Sequence, residues 1–576
     1  MRFFLLVIFC FLNISVFAQK PIQTKASKWV DSVYQQLNDD EKIGQLIIAR
    51  MSSINMATKQ VTYYNEQLAD YIKKYGIGGV CIFQGNPIEQ VQYINKLKSI
   101  SKVPLLFSID GEWGVGMRLL DSVQPLPKQM MLGAMPNSEY MYRYGKLVAK
   151  QCKRMGIHMN YAPVMDVNNN PENPIINDRS FGQNKNKVST FAIQYMEGLQ
   201  INGVMACAKH FPGHGDVSVD SHLDLPIINK TKQQLEETEL YPFKKAIDAG
   251  VASIMIAHLF VPAIDSQKNR PTSLSVKNIK GLLKNELHFN GLCITDALEM
   301  QGVKKFIPNS EASVESIIAG NDMLCLPDSI PLAIQKIKKA INENRISWND
   351  IAYHCKRVLM SKYKYVLKNN DSVSTKNLIK DLNNNISKMR KMVSQKAITL
   401  LGETNAEYFP LKCNQSKIAY IGFGIKSENT FSKEMKKNFN AAVFYVDYNQ
   451  KNKDSINNLI DSITKTYDRV VMGVHEINRK PANNFDISVA SIKMINSISA
   501  KTKSMLFLFG NAYAAKNWCH LKNLVVCYED DEIVQHTAIQ LLKGSLNYQG
   551  RLPVTVCSQY PYGSGITTNF KKTVKK

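Results

Sequence analysis

The chain has 576 residues, 44% of them hydrophobic, with 72 Lys plus Arg against 48 Asp plus Glu and a formal net charge of +24. That length is too great for one hydrophobic core and implies two or three domains, while the apolar share is ordinary for a globular protein. The lysines are scattered singly, and no basic helix, zinc finger or aromatic RNA-binding signature appears. Nucleic acid is therefore not the expected partner; the charge suits a solvated surface or an anionic envelope polymer.

In chain order, residues 1–18 read as an export signal. Arg2 supplies the charge, 3–16 the apolar stretch, and Val16-Phe17-Ala18 the small-residue site before Gln19. The stretch is short for a membrane span and no second long one follows, so no transmembrane segment is expected in the mature chain. Cys10 follows Phe9, where a lipid-attachment signal wants a small residue. Export places the protein in the periplasm or outside the cell. Several of the remaining cysteines sit in apolar runs (Cys81, Cys207, Cys293, Cys325, Cys527), where a thiol acts as a small hydrophobe; few or no disulfides are expected.

Strands are predicted at 45–48, 79–83, 104–109, 158–163, 204–209, 253–257, 292–295 and 322–326, with amphipathic helices between them, among them one over 275–288. Eight alternating units over 25–345 predict a (β/α)8 barrel, with a doubly wound open sheet as the alternative. A barrel should carry its polar residues just past the strand ends. Asp110-Gly111-Glu112, Asp166, Lys209-His210, His258 and Asp296 stand at five such ends. Residues 346–395 read as a helical linker, 396–562 as a second α/β domain built on an open parallel sheet whose last strand is expected over 552–556, and 563–576 as a tail. In that second domain Gly422-Phe423-Gly424 follows a strand but lacks the third glycine of a dinucleotide loop, and reads as a turn.

The densest chemistry follows the apolar run Val204-Met205-Ala206-Cys207-Ala208. Lys209 to His222 then carries three histidines, broken by Pro212, Gly213 and Gly215. In Asp220-Ser221-His222 the carboxylate can turn back onto the imidazole and hold its tautomer, making His222 a proton donor and acceptor near neutral pH. A zinc reading of His210, His214 and His222 competes, but the loop has neither a helical His pair at i, i+4 nor a cysteine cluster. Asp296, at the end of Ile294-Thr295, is either a helix cap or a carboxylate nucleophile. Paired with His222 it supplies the two groups of a retaining glycosidase, with a histidine in place of the second carboxyl.

Lys209 to His222, Thr295-Asp296, Asp110-Gly111-Glu112 and Asp178-Arg179-Ser180-Phe181-Gly182 together resemble glycoside hydrolase family 3, and within it the β-N-acetylglucosaminidase branch. The resemblance implies a barrel followed by an α/β sandwich. It implies Asp296 as nucleophile, His222 as acid/base with Asp220 orienting it, and Asp110, Arg118, Arg179, Lys209 and His210 as sugar-binding residues. It further implies hydrolysis of terminal β-linked N-acetylglucosamine from glycans or peptidoglycan fragments, with no metal or organic cofactor. Trp113, bulkier than the glycine of single-domain members, is expected to line or narrow the pocket. His258 and Asp166 are expected to support rather than react. Three alternatives stay open. One is a family β-glucosidase or β-xylosidase taking its acid, Glu476, from the second domain. The others are an inactive wall-binding protein and a phosphorylase.

Overall fold

A computed structural model describes residues 24–119, 122–218, 224–308, 310–403, 409–412, 416–450 and 452–570. The expected export signal, Asp220 and His222, and residues 571–576 lie outside the described residues.

The first sheet comprises β1 (Ile47–Arg50), β2 (Gly79–Ile82), β3 (Leu106–Ile109), β4 (Met159–Asn160), β5 (Met205–Phe211), β6 (Ser253–Ile256), β7 (Leu292–Thr295) and β8 (Leu324–Cys325). All pairings are parallel, in the order β8-β1-β2-β3-β4-β5-β6-β7. A bridge between Ile294 and Met323 brings the two ends together into a barrel. β2, β3, β6 and β7 are buried at every residue, as strands covered by helices outside and packed side chains inside must be. Gly76 and Gly156 end two of the outer helices, Asn65–Tyr75 and Met141–Met155, in the left-handed conformation that turns the chain toward the next strand.

The structure adds details the pattern did not carry. A small antiparallel hairpin, Ser52–Ile54 with Val61–Tyr63, follows β1. The helix expected over 275–288 is π-helical through Lys277–Glu286. The helix Trp348–Tyr365, within the expected linker, packs on the barrel: His354 Nδ1 and Arg357 Nε meet Asp322 Oδ1 at 2.8 and 2.9 Å.

The second sheet comprises β9 (Thr399–Gly402), β10 (Ile418–Phe423), β11 (Ala442–Val446), β12 (Arg469–Val474), β13 (Lys503–Leu508) and β14 (Asn523–Val526), in the order β9-β14-β13-β12-β10-β11. Five strands are parallel, but β9 runs antiparallel to β14, so the sheet is mixed rather than wholly parallel. Helix Thr430–Phe439 packs with Glu532–Leu542, and Lys453–Thr466 with Val489–Lys501. One disulfide, Cys519–Cys557, is present among the described residues, beside seven buried free cysteines. No helix of the described residues is long and apolar enough to cross a membrane.

The strand expected over 552–556 does not form. Pro553 has no N–H to give a ladder, and the neighbouring backbone bonds to the barrel instead. Arg551 N donates to Ala134 O at 2.9 Å and Gln183 N to Pro553 O at 3.0 Å. Gly182 makes this seam possible: its φ is +127°, and a Cβ there would lie 2.2 Å from Pro553 O. Gly182→Ala should therefore lower the thermal midpoint by roughly 5 °C. Differential scanning calorimetry checks this; an unchanged midpoint would show that the seam carries little stability.

Candidate active site

The C-terminal ends of the barrel strands surround a pocket of about 360 Å³. Asp110, Arg118, Arg179, Lys209, His210 and Asp296, all singled out from the sequence, line it together. They arrive on four strand ends or loops: Asp110 and Arg118 after β3, Arg179 in the turn Asn177–Arg179, Lys209 and His210 near the end of β5, Asp296 after β7. In a regular strand, consecutive side chains point to opposite faces. The register of β5 against β6 shifts between Ala208 and Phe211, and both Lys209 and His210 reach the pocket.

Lys209 is fully buried, so its ammonium needs partners. It lies between two carboxylates, bonding Asp110 Oδ1 and meeting Glu112 Oε1 at 2.7 Å. Glu112 also takes Arg179, whose Nη2 lies 2.6 Å from Oε1 and whose Nε lies 3.0 Å from Oε2. Arg118 closes the other side, with Nη2 2.6 Å from Asp110 Oδ2. Burial alone would push the Asp110 and Glu112 carboxyls up. Lys209 with Arg118 holds Asp110, and Arg179 with Lys209 holds Glu112, below the usual carboxylate range. Burial likewise works against the Lys209 ammonium, but Asp110 and Glu112 hold its pKa above the ordinary lysine value.

The His210 tautomer follows from its neighbours. Arg179 Nη2, a donor only, lies 3.3 Å from Nε2, so Nε2 accepts; Nδ1 then carries the proton and donates to Asp166 Oδ2 at 2.7 Å. Asp166 is wholly buried and also accepts from the backbone N–H of His210 and His214, at 3.2 and 2.7 Å. Burial raises its carboxyl, but His210 and the N–H donors bring it below the ordinary value. With both ring nitrogens engaged, one by a guanidinium, His210 is poorly placed to ligate a metal. Burial, with His210 nearby, pushes His214 down to about 4, so it is neutral at pH 7.

Asp296 accepts the Ala297 N–H on Oδ1 at 2.8 Å, which orients the carboxylate. His258 steadies the same residue: Nε2 lies 3.0 Å from Ala297 O, while Nδ1 meets Ser273 Oγ at 2.7 Å. The expected supporting positions of His258 and Asp166 are thus behind Asp296 and His210. Trp113 lines the pocket with Lys128 Nζ 5.7 Å from its ring. Phe83 carries two guanidinium groups, Arg50 at 4.7 Å and Arg118 at 5.2 Å from its centroid. Arg50 pairs with Glu299. Sequence reasoning named Glu112 only within its motif and gave no role to Arg50, Glu299 or Arg479, which also lines the pocket from the second domain. Glu476 lines a neighbouring cavity and not this pocket.

A barrel whose strand ends present an oriented aspartate beside a neutralised ring of hydrogen-bonding cations and carboxylates has the form of a sugar-processing site. Residues 39–361 match the glycosyl hydrolase family 3 N terminal domain. The chain belongs to glycoside hydrolase family 3. It is 34% identical over 286 residues to "Beta-hexosaminidase A" of Pseudoalteromonas piscicida, covering 46% of this chain and 48% of that protein. The chain thus spans about half the length of that relative. It is 31% identical over 265 residues to a "Beta-hexosaminidase" of Nitrosomonas eutropha, covering 44% of this chain and 75% of the relative. A glycoside hydrolase family 3 β-N-acetylglucosaminidase from Paenibacillus sp. superposes with a TM-score of 0.74 at 26% identity, covering 90% of this chain and 99% of that one.

Glu112→Gln removes one charge from a buried network and should cost about 3 kcal/mol at pH 7. The native Glu112 carboxyl titrates below its unfolded value, so its contribution is complete above that value and disappears as pH falls through the native one. The stability gap between wild type and Glu112→Gln should be flat above about pH 5 and narrow below it. Urea unfolding at several pH values reads this directly, and a gap that widens on acidification would contradict the assignment.

Proposed function

We propose that the protein is a retaining exo-β-N-acetylglucosaminidase that removes terminal, non-reducing β-linked N-acetylglucosamine. The observation that carries this reading is Asp296 sharing one pocket with Asp110, Arg118, Arg179, Lys209 and His210. The hexosaminidase names of its relatives support the choice of sugar. Asp296 attacks the anomeric carbon while His222, oriented by Asp220, protonates the departing glycosidic oxygen. His222 then takes a proton from water, which releases the sugar from Asp296 with its β configuration retained. Charged groups bonding the sugar hydroxyls contribute about 1.5–3 kcal/mol each, enough for a few to select the ring. Peptidoglycan fragments are the proposed natural substrate, met after export from the cytoplasm. The Cys519–Cys557 disulfide is in keeping with an oxidising compartment.

A family β-glucosidase drawing its acid from the second domain would need Glu476 at the sugar, and Glu476 faces the adjoining cavity instead. The test is turnover of 4-nitrophenyl β-N-acetylglucosaminide beside the β-glucoside, with and without phosphate. Wild type should favour the N-acetyl substrate and be indifferent to phosphate. His222→Ala should lose roughly 100-fold or more, and Asp296→Asn should lose nearly all turnover. A preference for the β-glucoside, with His222→Ala near normal, would place the acid elsewhere; phosphate dependence would mark a phosphorylase.

A further inference from the structure

Charge is balanced in the depth of the pocket and unbalanced at its rim. Deep inside, Arg118 and Lys209 meet Asp110, Lys209 and Arg179 meet Glu112, and Arg50 meets Glu299; with Asp296 in the same pocket, four carboxylates face four cations. At the rim, in the adjoining cavity that Lys128 and Arg479 also line, a single buried carboxylate, Asp178, serves both cations. Lys128 Nζ lies 2.9 Å from Oδ2, and Arg479 Nε lies 2.9 Å from Oδ1. Arg479 comes from the loop after β12, in the second domain, yet it lines the barrel pocket. Its Nη1 and Nη2 make no hydrogen bond among the described residues, and its side chain is 39% exposed.

The carboxylates around this loop do not offset that surplus. Glu529 and Asp531 are held by Arg390, and Asp530 bonds His475 at 3.0 Å and Gln535 at 2.7 Å. Glu476 is exposed; it shares the adjoining cavity of about 240 Å³ with Arg479 but forms no ion pair with it and does not line the barrel pocket. Nor is Arg479 a loose surface side chain. Asn511 Nδ2 donates to Arg479 O at 3.1 Å and to Asn177 Oδ1 at 2.6 Å. Asn177 opens the turn that carries Asp178 and Arg179, so one carboxamide ties the Arg479 backbone to the turn that presents Arg179. Asn478 N bonds the carbonyl of the buried Phe485 at 2.8 Å, fixing the same loop.

We propose that Arg479 is a specificity-determining residue whose guanidinium binds a carboxylate on the leaving-group half of the glycoside. The proposal rests on reading the pocket as an N-acetylglucosaminidase site. In that reading the cleaved sugar fills the deep, charge-balanced part, so the leaving group must point toward the rim. A guanidinium is a planar fork of nitrogens that matches a carboxylate, and the ion pair with Asp178 places that of Arg479 at the rim. The preferred substrate is then a β-linked disaccharide whose second sugar bears an acid.

The test compares kcat/KM for N-acetylglucosaminyl-β-1,4-N-acetylmuramic acid with that for its methyl ester. Wild type should favour the acid by about ten- to a hundredfold. Arg479→Ala should bring the acid-to-ester ratio near one, with Arg479→Lys in between; Arg479→Gln serves if the alanine variant does not fold. A wild-type ratio near one, or a ratio that survives loss of the guanidinium, overturns the proposal alone. If wild type cleaves neither disaccharide nor 4-nitrophenyl β-N-acetylglucosaminide, the activity reading fails and the proposal fails with it.

Discussion

A lysine with almost no exposed surface governs the pocket. The Lys209 ammonium, taken from water, must be met by charge, and Asp110 and Glu112 meet it from one loop. Those two carboxylates then become the anchors for Arg118 and Arg179. Removing either carboxylate would leave a largely buried guanidinium, Arg118 or Arg179, without its ion-pair partner. The result is a rigid, nearly neutral ring of donors and acceptors, which suits an uncharged sugar rich in hydroxyls.

Around that ring a layer of buried groups fixes the orientation of what faces the substrate. Asp166 sets the His210 tautomer and gathers two backbone N–H groups of the same loop. His258 performs a similar task for the residue after Asp296. Positioning of this kind is effective because a barrel core admits few alternative side-chain arrangements. The second domain supplies the outer wall: Arg479 reaches the pocket and Asn511 joins the two halves beside it. Lys128 N, bonded to Glu529 Oε1 at 2.7 Å, adds another tie across the same junction.

The barrel was legible because eight short apolar runs alternate with helical patterns, and because polar residues recur just beyond them. Asp110, Lys209, His210 and Asp296 stand where that rule puts them, and Arg118 and Arg179 were reached through the family motifs. Arg50 obeys the same rule, but the predicted strand ends at 48 whereas β1 continues to Arg50 itself. The 552–556 run looks like a strand by composition, and only the barrel surface it meets explains why it is not one. Likewise β9 carries no local mark of its antiparallel direction, which depends on its pairing with β14. Arg479 had no signal at all: its partner Asp178 is distant in the chain, and only folding brings the two together.

The central claim is that Asp296 bonds covalently to the sugar. Incubation with 5-fluoro-N-acetylglucosaminyl fluoride, followed by intact mass measurement and peptide mapping, tests it most directly. A single glycosyl adduct on Asp296, absent from Asp296→Asn, is the predicted result. An adduct on another carboxylate, or turnover with inverted configuration and no adduct, would contradict it.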